Sequence, residues 1–128
     1  MARILLAEDD ASVRTFVRRA LELDGHLVIE AADGSAALVA VARRDDAFDL
    51  LVSDISMPEL DGIALARTAR QHRPALPIIL MTGYAEQREH AADLAAIVRE
   101  VVAKPFTLDE IRRAVGRALA APAGLSAA

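Results

Sequence analysis

The sequence predicts an α/β fold, a doubly wound five-stranded parallel sheet in the order 2-1-3-4-5 with helices on both faces. Two observations predict the sheet. Short β-rich runs alternate with stretches of helical periodicity along the whole chain, the pattern of right-handed crossovers between parallel strands. One of those runs, residues 48–54, is nearly all apolar until its carboxyl end, which suits a parallel strand covered on both faces. A third observation predicts where chemistry sits. Polar groups cluster at the expected strand ends, and in open sheets of this kind ligands bind outside the carboxyl ends of the strands.

The elements follow in order. Residues 3–7 form an apolar run of strand length. Val13, Phe16, Val17, Ala20 and Leu21 then fall at the spacing of one helix face, and Gly25 stops that helix. Residues 27–31 read as the second strand. Asp33-Gly34 marks a turn, with Asp33 capping a helix that runs to about Arg43. Residues 48–54 are the third strand and 62–71 the next helix. Pro74 and Pro77 break the chain before a fourth strand at 78–82. Residues 86–94 are helical but weakly patterned, and 98–103 are the fifth strand. Thr107 opens the last helix with Glu110 three residues on, a capping box, and Leu108, Ile111, Val115, Ala118 and Leu119 make its buried stripe. The domain is expected to span residues 1–121, with 122–128 a short flexible tail.

A chain of 128 residues is one domain's worth, and a hydrophobic content of 54% is enough for a core. Aromatic residues are only 3%, so that core must be built from Leu, Ile, Val and Ala. The net charge of −4 argues against a nucleic-acid partner and against an anionic membrane surface. There is no cysteine, which excludes disulfides, thiol catalysis and cysteine metal sites. No apolar run reaches membrane-spanning length and the N-terminal apolar stretch is too short for a signal peptide, so the expected location is the cytoplasm.

At the strand ends stand Glu8-Asp9-Asp10, Asp54, Thr82-Gly83 and Lys104-Pro105. Crowded carboxylates repel and would be driven to protonate without a counter-charge, which a divalent cation and Lys104 supply. Oxygen ligands with no Cys or His nearby select Mg²⁺ over zinc. Phosphoryl transfer needs positioning and charge neutralisation above all. Asp54 can attack as a carboxylate nucleophile and form an aspartyl phosphate. Lys104, the Thr82 hydroxyl and a backbone N–H near Gly83 can face the phosphoryl oxygens. Read singly, Asp9 or Asp10 is a helix N-cap, Thr82 a strand-end residue and Asp61-Gly62 a helix start; together the polar strand ends read as a site.

The runs Ile4-Leu5-Leu6-Ala7-Glu8-Asp9-Asp10, Asp54-Ile55-Ser56-Met57-Pro58-Glu59-Leu60-Asp61-Gly62, Met81-Thr82-Gly83 and Lys104-Pro105-Phe106 resemble those of a response-regulator receiver domain, with its flavodoxin-like fold. The resemblance implies a signalling domain of a two-component system and not an enzyme. It implies phosphorylation at Asp54 by a sensor histidine kinase or a histidine phosphotransfer protein. It implies Mg²⁺ held by Glu8, Asp9, Asp54 and the main-chain carbonyl of Ser56, with Thr82 and Gly83 at the switch and Lys104 on the phosphate. Asp10 and Pro105 carry over as supporting residues, Pro105 through a cis peptide bond. The first helix of such domains meets the kinase, which makes Arg14 and Arg18 candidate contacts. His26, His72 and His90 lie away from the strand ends and read as surface residues.

Three departures from the family pattern bear on mechanism. Glu8 stands where Asp is commoner, and still supplies a carboxylate. Val101 stands where many receivers place a Tyr or Phe switch residue, so the usual coupling to a rotating ring is lost. Tyr84 and Ser56, two residues after Thr82 and Asp54, flank the route of attacking water, and Tyr84 is placed to shield an aspartyl phosphate.

Among single-domain receivers the sequence is most similar to the CpdR type. That likeness implies output through protein contacts as an adaptor for the ClpXP protease, with ClpX as partner, from a monomer or weak dimer. Two alternatives are a phosphorelay shuttle that passes phosphate to a histidine phosphotransfer protein, and a phosphatase using an aspartyl intermediate. The phosphatase would want a second acid where this chain has Ser56.

Overall fold

A computed structural model describes residues 1–43, 47–83 and 95–120. The strands are β1 (Arg3–Ala7), β2 (Leu27–Ala31), β3 (Leu50–Asp54), β4 (Ile78–Thr82) and β5 (Glu100–Ala103). The helices are α1 (Ala11–Leu23), α2 (Gly34–Ala42), α3 (Gly62–His72) and α4 (Leu108–Ala120). The helix expected at 86–94, the tail at 122–128, Tyr84 and His90 lie outside the described residues.

All strand pairings are parallel, in the order β2-β1-β3-β4-β5. The register sets Ala7 opposite both Ala31 and Ser53, Asp54 opposite Met81, and Thr82 opposite Ala103. The carboxyl ends of four strands therefore meet on one rim. This is how residues scattered through the sequence come to share a site.

The sheet is covered on both faces because alternate strand residues point opposite ways. Leu5, Leu51, Ile78 and Leu80 pack against Ala37 and Val41 of α2 and Leu65, Ala66 and Ala69 of α3. Ile4, Leu6, Leu50, Val52, Ile79 and Met81 pack against Val17, Ala20 and Leu21 of α1 and Ile111, Ala114, Val115 and Ala118 of α4. Every residue of β3 and β4 is buried, as a nearly all-apolar central strand requires. Small alanines on the helices let them lie close to the sheet without aromatic spacers.

Helix ends are set by short polar side chains. The carboxylates of Asp10, Asp33 and Asp61 accept first-turn amides of α1, α2 and α3. At α4 the capping box forms in both directions, with Glu110 N–H on Thr107 Oγ1 at 3.1 Å and Thr107 N–H on Glu110 Oε1 at 2.9 Å. Each such cap contributes about 1 kcal/mol.

Three sequence expectations are adjusted. The third strand begins at Leu50, not 48; the Phe48 ring instead contacts the Arg3 and Arg73 guanidiniums, 5.6 and 5.4 Å from its centre. The fifth begins at Glu100, not 98, although Arg99 N–H already reaches Ile78 O at 2.8 Å. Phe16 is not buried with its helix face, because Val17, Ala20 and Leu21 fill the centre of that face and leave residue 16 at its margin. Its ring meets Phe106 at 6.2 Å between centres. Among the described residues, no helix is long and apolar enough to cross a membrane.

Candidate functional site

The rim holds a cavity of about 740 Å³ lined by Glu8, Asp9 and Asp10 after β1, Asp54 and Ser56 at the end of β3, and Gly83, Lys104 and Pro105 beyond β4 and β5. Phe16 and Phe106 stand at its edge. Among the described residues the expected site residues thus come together, apart from Val101, which packs on the core side of β5, and Thr82. It is fully buried at the end of β4 and does not line the cavity. Its carbonyl accepts the Lys104 N–H at 2.7 Å, which ties the two strand ends that carry them.

At the centre, Lys104 Nζ lies 2.7 Å from Glu8 Oε1 and 3.2 Å from Asp54 Oδ1. One carboxylate oxygen each from Glu8, Asp9 and Asp54 all fall within 4.8 Å of one another. Glu8 and Asp54 are buried, at 0% and 5% exposure, while Asp9 is open to solvent. Asp10 also lines the cavity but is not one of the three clustered acids. Its carboxylate caps α1, accepting the Ser12 and Val13 amides and the Ser12 hydroxyl, and these bonds hold it below the usual carboxylate range.

The electrostatics follow from burial. Loss of solvent pushes the Glu8 carboxyl upward against the bond from Lys104. The same loss pushes Asp54 upward, against Lys104 and helped by the negative charge of Asp9. For Lys104, burial acts to lower the ammonium, but Glu8 and Asp54 outweigh it and hold it above its ordinary value. The cluster is therefore short of positive charge, with one ammonium facing three carboxylates. The donors are all oxygen, a set that fits a hard cation such as Mg²⁺ and gives no purchase to a soft metal.

The backbone beneath Asp54 is shaped by features the motif reading passed over. Gly62 opens α3 directly under the strand end, where a Cβ would lie 2.2 Å from the Asp54 carbonyl oxygen. Gly62 N–H donates to Ile55 O at 2.9 Å. Only a residue without a side chain permits that approach. Glu59 adopts φ of 68° in a turn closed by Leu60 N–H on Pro58 O at 2.8 Å, a conformation unfavourable for a side-chain-bearing residue. The Asp61-Gly62 pair had signalled a helix start, but not the contact with Asp54, which needs the three-dimensional path of the chain.

Other expectations land as follows. The Lys104–Pro105 peptide is cis. Val101 is half-buried on β5 and packs against the α2–α3 side of the core. Arg14 and Arg18 pair with Glu30 at 3.3 and 3.5 Å. His72 is exposed, whereas His26 is half-buried, with Nδ1 accepting the Ala2 N–H at 3.1 Å.

The strand order, the rim of acids and the half-buried lysine together define a class, and comparison with known proteins bears it out. The model of the response regulator receiver domain matches residues 4–116, and the chain belongs to that family of two-component signalling domains. It is 39% identical to the response regulator receiver protein CpdR of Brucella abortus, over 94% of this chain and 99% of that one. It is 41% identical to the response regulator MprA of Mycobacterium leprae over 85% of this chain and 47% of MprA, so it spans about half of that relative's length. Among solved structures it is similar to the response regulator TrrA of Thermotoga maritima in complex with Mg²⁺-BeF. That likeness has a TM-score of 0.83 and 30% identity over 93% of this chain and all (100%) of the other.

Proposed function

We propose that this receiver accepts a phosphoryl group on Asp54 from a phosphohistidine of a sensor histidine kinase or phosphotransfer protein. The observation that carries the reading is the buried Asp54 carboxylate held 3.2 Å from Lys104 Nζ, beside Glu8 and the solvent-facing Asp9. Glu8, Asp9, Asp54 and the Ser56 main-chain carbonyl would hold Mg²⁺, which when bound supplies charge neutralisation for phosphoryl oxygens.

The residues divide the work. An Asp54 oxygen attacks phosphorus, the new P–O bond forms, and the P–N bond of the donor breaks, with the electron pair leaving on the imidazole. Lys104 is pre-positioned by Glu8 so that its ammonium can follow charge from the carboxylate to the phosphoryl group. The Gly83 amide region, open to the cavity, supplies a further donor, and the Thr82 hydroxyl, buried just outside the cavity, would add another only by turning toward the phosphoryl group. Ser56, facing the cavity where a second acid would be needed, favours a lasting phosphorylated state over a phosphatase cycle.

The likeness to CpdR over almost its full length favours output through protein contacts, and the resemblance of the sequence to CpdR-type receivers points to ClpX as the partner, bound by the unphosphorylated form. A pull-down with ClpX in each phosphorylation state tests this. Binding lost on phosphorylation supports it, and no binding in either state overturns it. For the phosphoacceptor reading, incubation with a small phosphodonor and Mg²⁺ should phosphorylate the wild type and leave Asp54→Ala unmodified. Equal phosphorylation of both would refute it.

A further inference from the structure

We propose that Arg14 is a positioning residue for the acid pair that binds the cation, acting through the peptide bond between Glu8 and Asp9. The inference rests on the Mg²⁺ reading above and adds to it a residue that touches neither metal nor phosphate.

Asp9 is the one acid of the three that is open to solvent, and it sits in the turn between β1 and α1. An exposed side chain on a turn aims reliably only if the backbone on both sides of it is held. Both sides are held here. The Glu8 carbonyl, which belongs to the Glu8–Asp9 peptide, accepts Arg14 Nη1 at 2.7 Å. The Asp10 N–H, which belongs to the following peptide, donates to Glu8 Oε2 at 3.2 Å. Glu8 is itself fixed, with its N–H on Ala31 O at 3.1 Å and its other carboxylate oxygen on Lys104. With both flanking peptides pinned, φ and ψ of Asp9 have little freedom and its carboxylate points at the site.

Arg14 suits this task because it is anchored. Its Nε lies 3.3 Å from Glu30 Oε1 on β2, and its side chain is only 20% exposed. One guanidinium therefore links α1, the acid-bearing turn and β2, using the fixed fork of donors that lysine lacks. Arg18 is the natural comparison. It shares Glu30 at 3.5 Å and pairs with Glu22 at 3.4 Å, but its contacts include no bond to the Glu8 carbonyl.

The sign of the effect separates positioning from charge. Deleting a cation near a metal site strengthens cation binding by simple Coulomb repulsion relieved. Deleting a residue that orients ligands weakens it, by about tenfold at the lower end for partners of metal ligands.

The test is Mg²⁺ binding to the full chain by isothermal titration with MgCl₂, alongside thermal melts and amide exchange. Arg14→Ala should weaken Mg²⁺ binding about tenfold and speed exchange of the Asp10 amide, while melting close to wild type. Arg14→Lys, which keeps the charge and one donor, should recover part of the affinity and serves if the alanine variant folds poorly. Arg18→Ala should bind Mg²⁺ as tightly as wild type or more so. Unchanged or tighter binding by both Arg14 variants overturns the proposal, as does equal weakening by Arg18→Ala. If Glu8→Gln and Asp9→Asn lose Mg²⁺ while Arg14→Ala keeps it, the metal reading survives and only the positioning role fails. If the wild type binds no Mg²⁺, both fall.

Discussion

Replacing Gly62 with alanine sets two physical effects against each other, and the structure decides the winner. Alanine is the better helix former, by up to about 1 kcal/mol within a helix. At Gly62, however, the new Cβ would lie 2.2 Å from the Asp54 carbonyl oxygen and 2.9 Å from both the Asp54 carbonyl carbon and Ile55 Cα. These are backbone atoms with no rotamer to escape into. Relief needs a movement of at least about 0.8 Å between the end of β3 and the start of α3, an overpacking that costs about 1–3 kcal/mol. The net expectation for Gly62→Ala is a loss of about 1–2 kcal/mol, or a melting temperature lower by about 4–8 °C. Because the displaced atoms carry Asp54, phosphorylation should slow by about tenfold or more even where the variant is fully folded. Gly116→Ala is the control. It lies in α4 with nothing within 4 Å of its Cβ position, so helix propensity acts alone and the variant should gain about 0.5–1 kcal/mol. Thermal and urea denaturation of the pair checks the account. A Gly62→Ala protein as stable as Gly116→Ala would refute the reasoning.

Two further predictions concern charge. In EDTA, Asp9→Asn should raise the urea midpoint by an amount worth about 1 kcal/mol, because it relieves repulsion among carboxylates within 4.8 Å of one another. A lower midpoint than wild type would contradict this. Asp24 accepts Arg112 Nη2 at 2.6 Å, and that bond holds its carboxyl below the usual range. The folded value being the lower one, the pair's stabilisation is complete above the ordinary carboxylate pKa of about 4 and lost as pH falls through the depressed one. Asp24→Asn should therefore be less stable than wild type at neutral pH, with the two converging in acid urea titrations. A difference that persists unchanged into acid would assign the effect to something other than this charge.

The frame of the molecule was legible because each layer of signal agreed. The helix caps at Asp33 and Thr107 appear where short polar residues precede periodic runs, and the buried middle strands appear where polar residues drop out. The site was legible through strand ends, since the register brings Ala7, Asp54, Thr82 and Ala103 to one rim and their neighbours follow. What escaped were features that depend on distance across the fold. Phe16 satisfies a helical spacing yet sits at the margin of its face, and a margin is set by what packs opposite. Arg14 read as a candidate kinase contact on the first helix, because nothing local says that a side chain on α1 reaches back to the Glu8 carbonyl. Gly62 read as a turn residue, because its closeness to Asp54 arises only when α3 folds back under β3. Lys104 was placed at the site by its strand end, but its partition between Glu8 and Asp54 is a matter of geometry.

The central claim is that the phosphoryl group resides on Asp54. Chemical mapping tests it most directly. Protein phosphorylated in the presence of Mg²⁺ is treated with borohydride, which reduces an aspartyl phosphate to homoserine, and the modified peptide is located by mass spectrometry. The account predicts homoserine at position 54 and nowhere else. Homoserine at position 9 or 10, or a stable phosphate on a serine, threonine or histidine with position 54 unmodified, would contradict it.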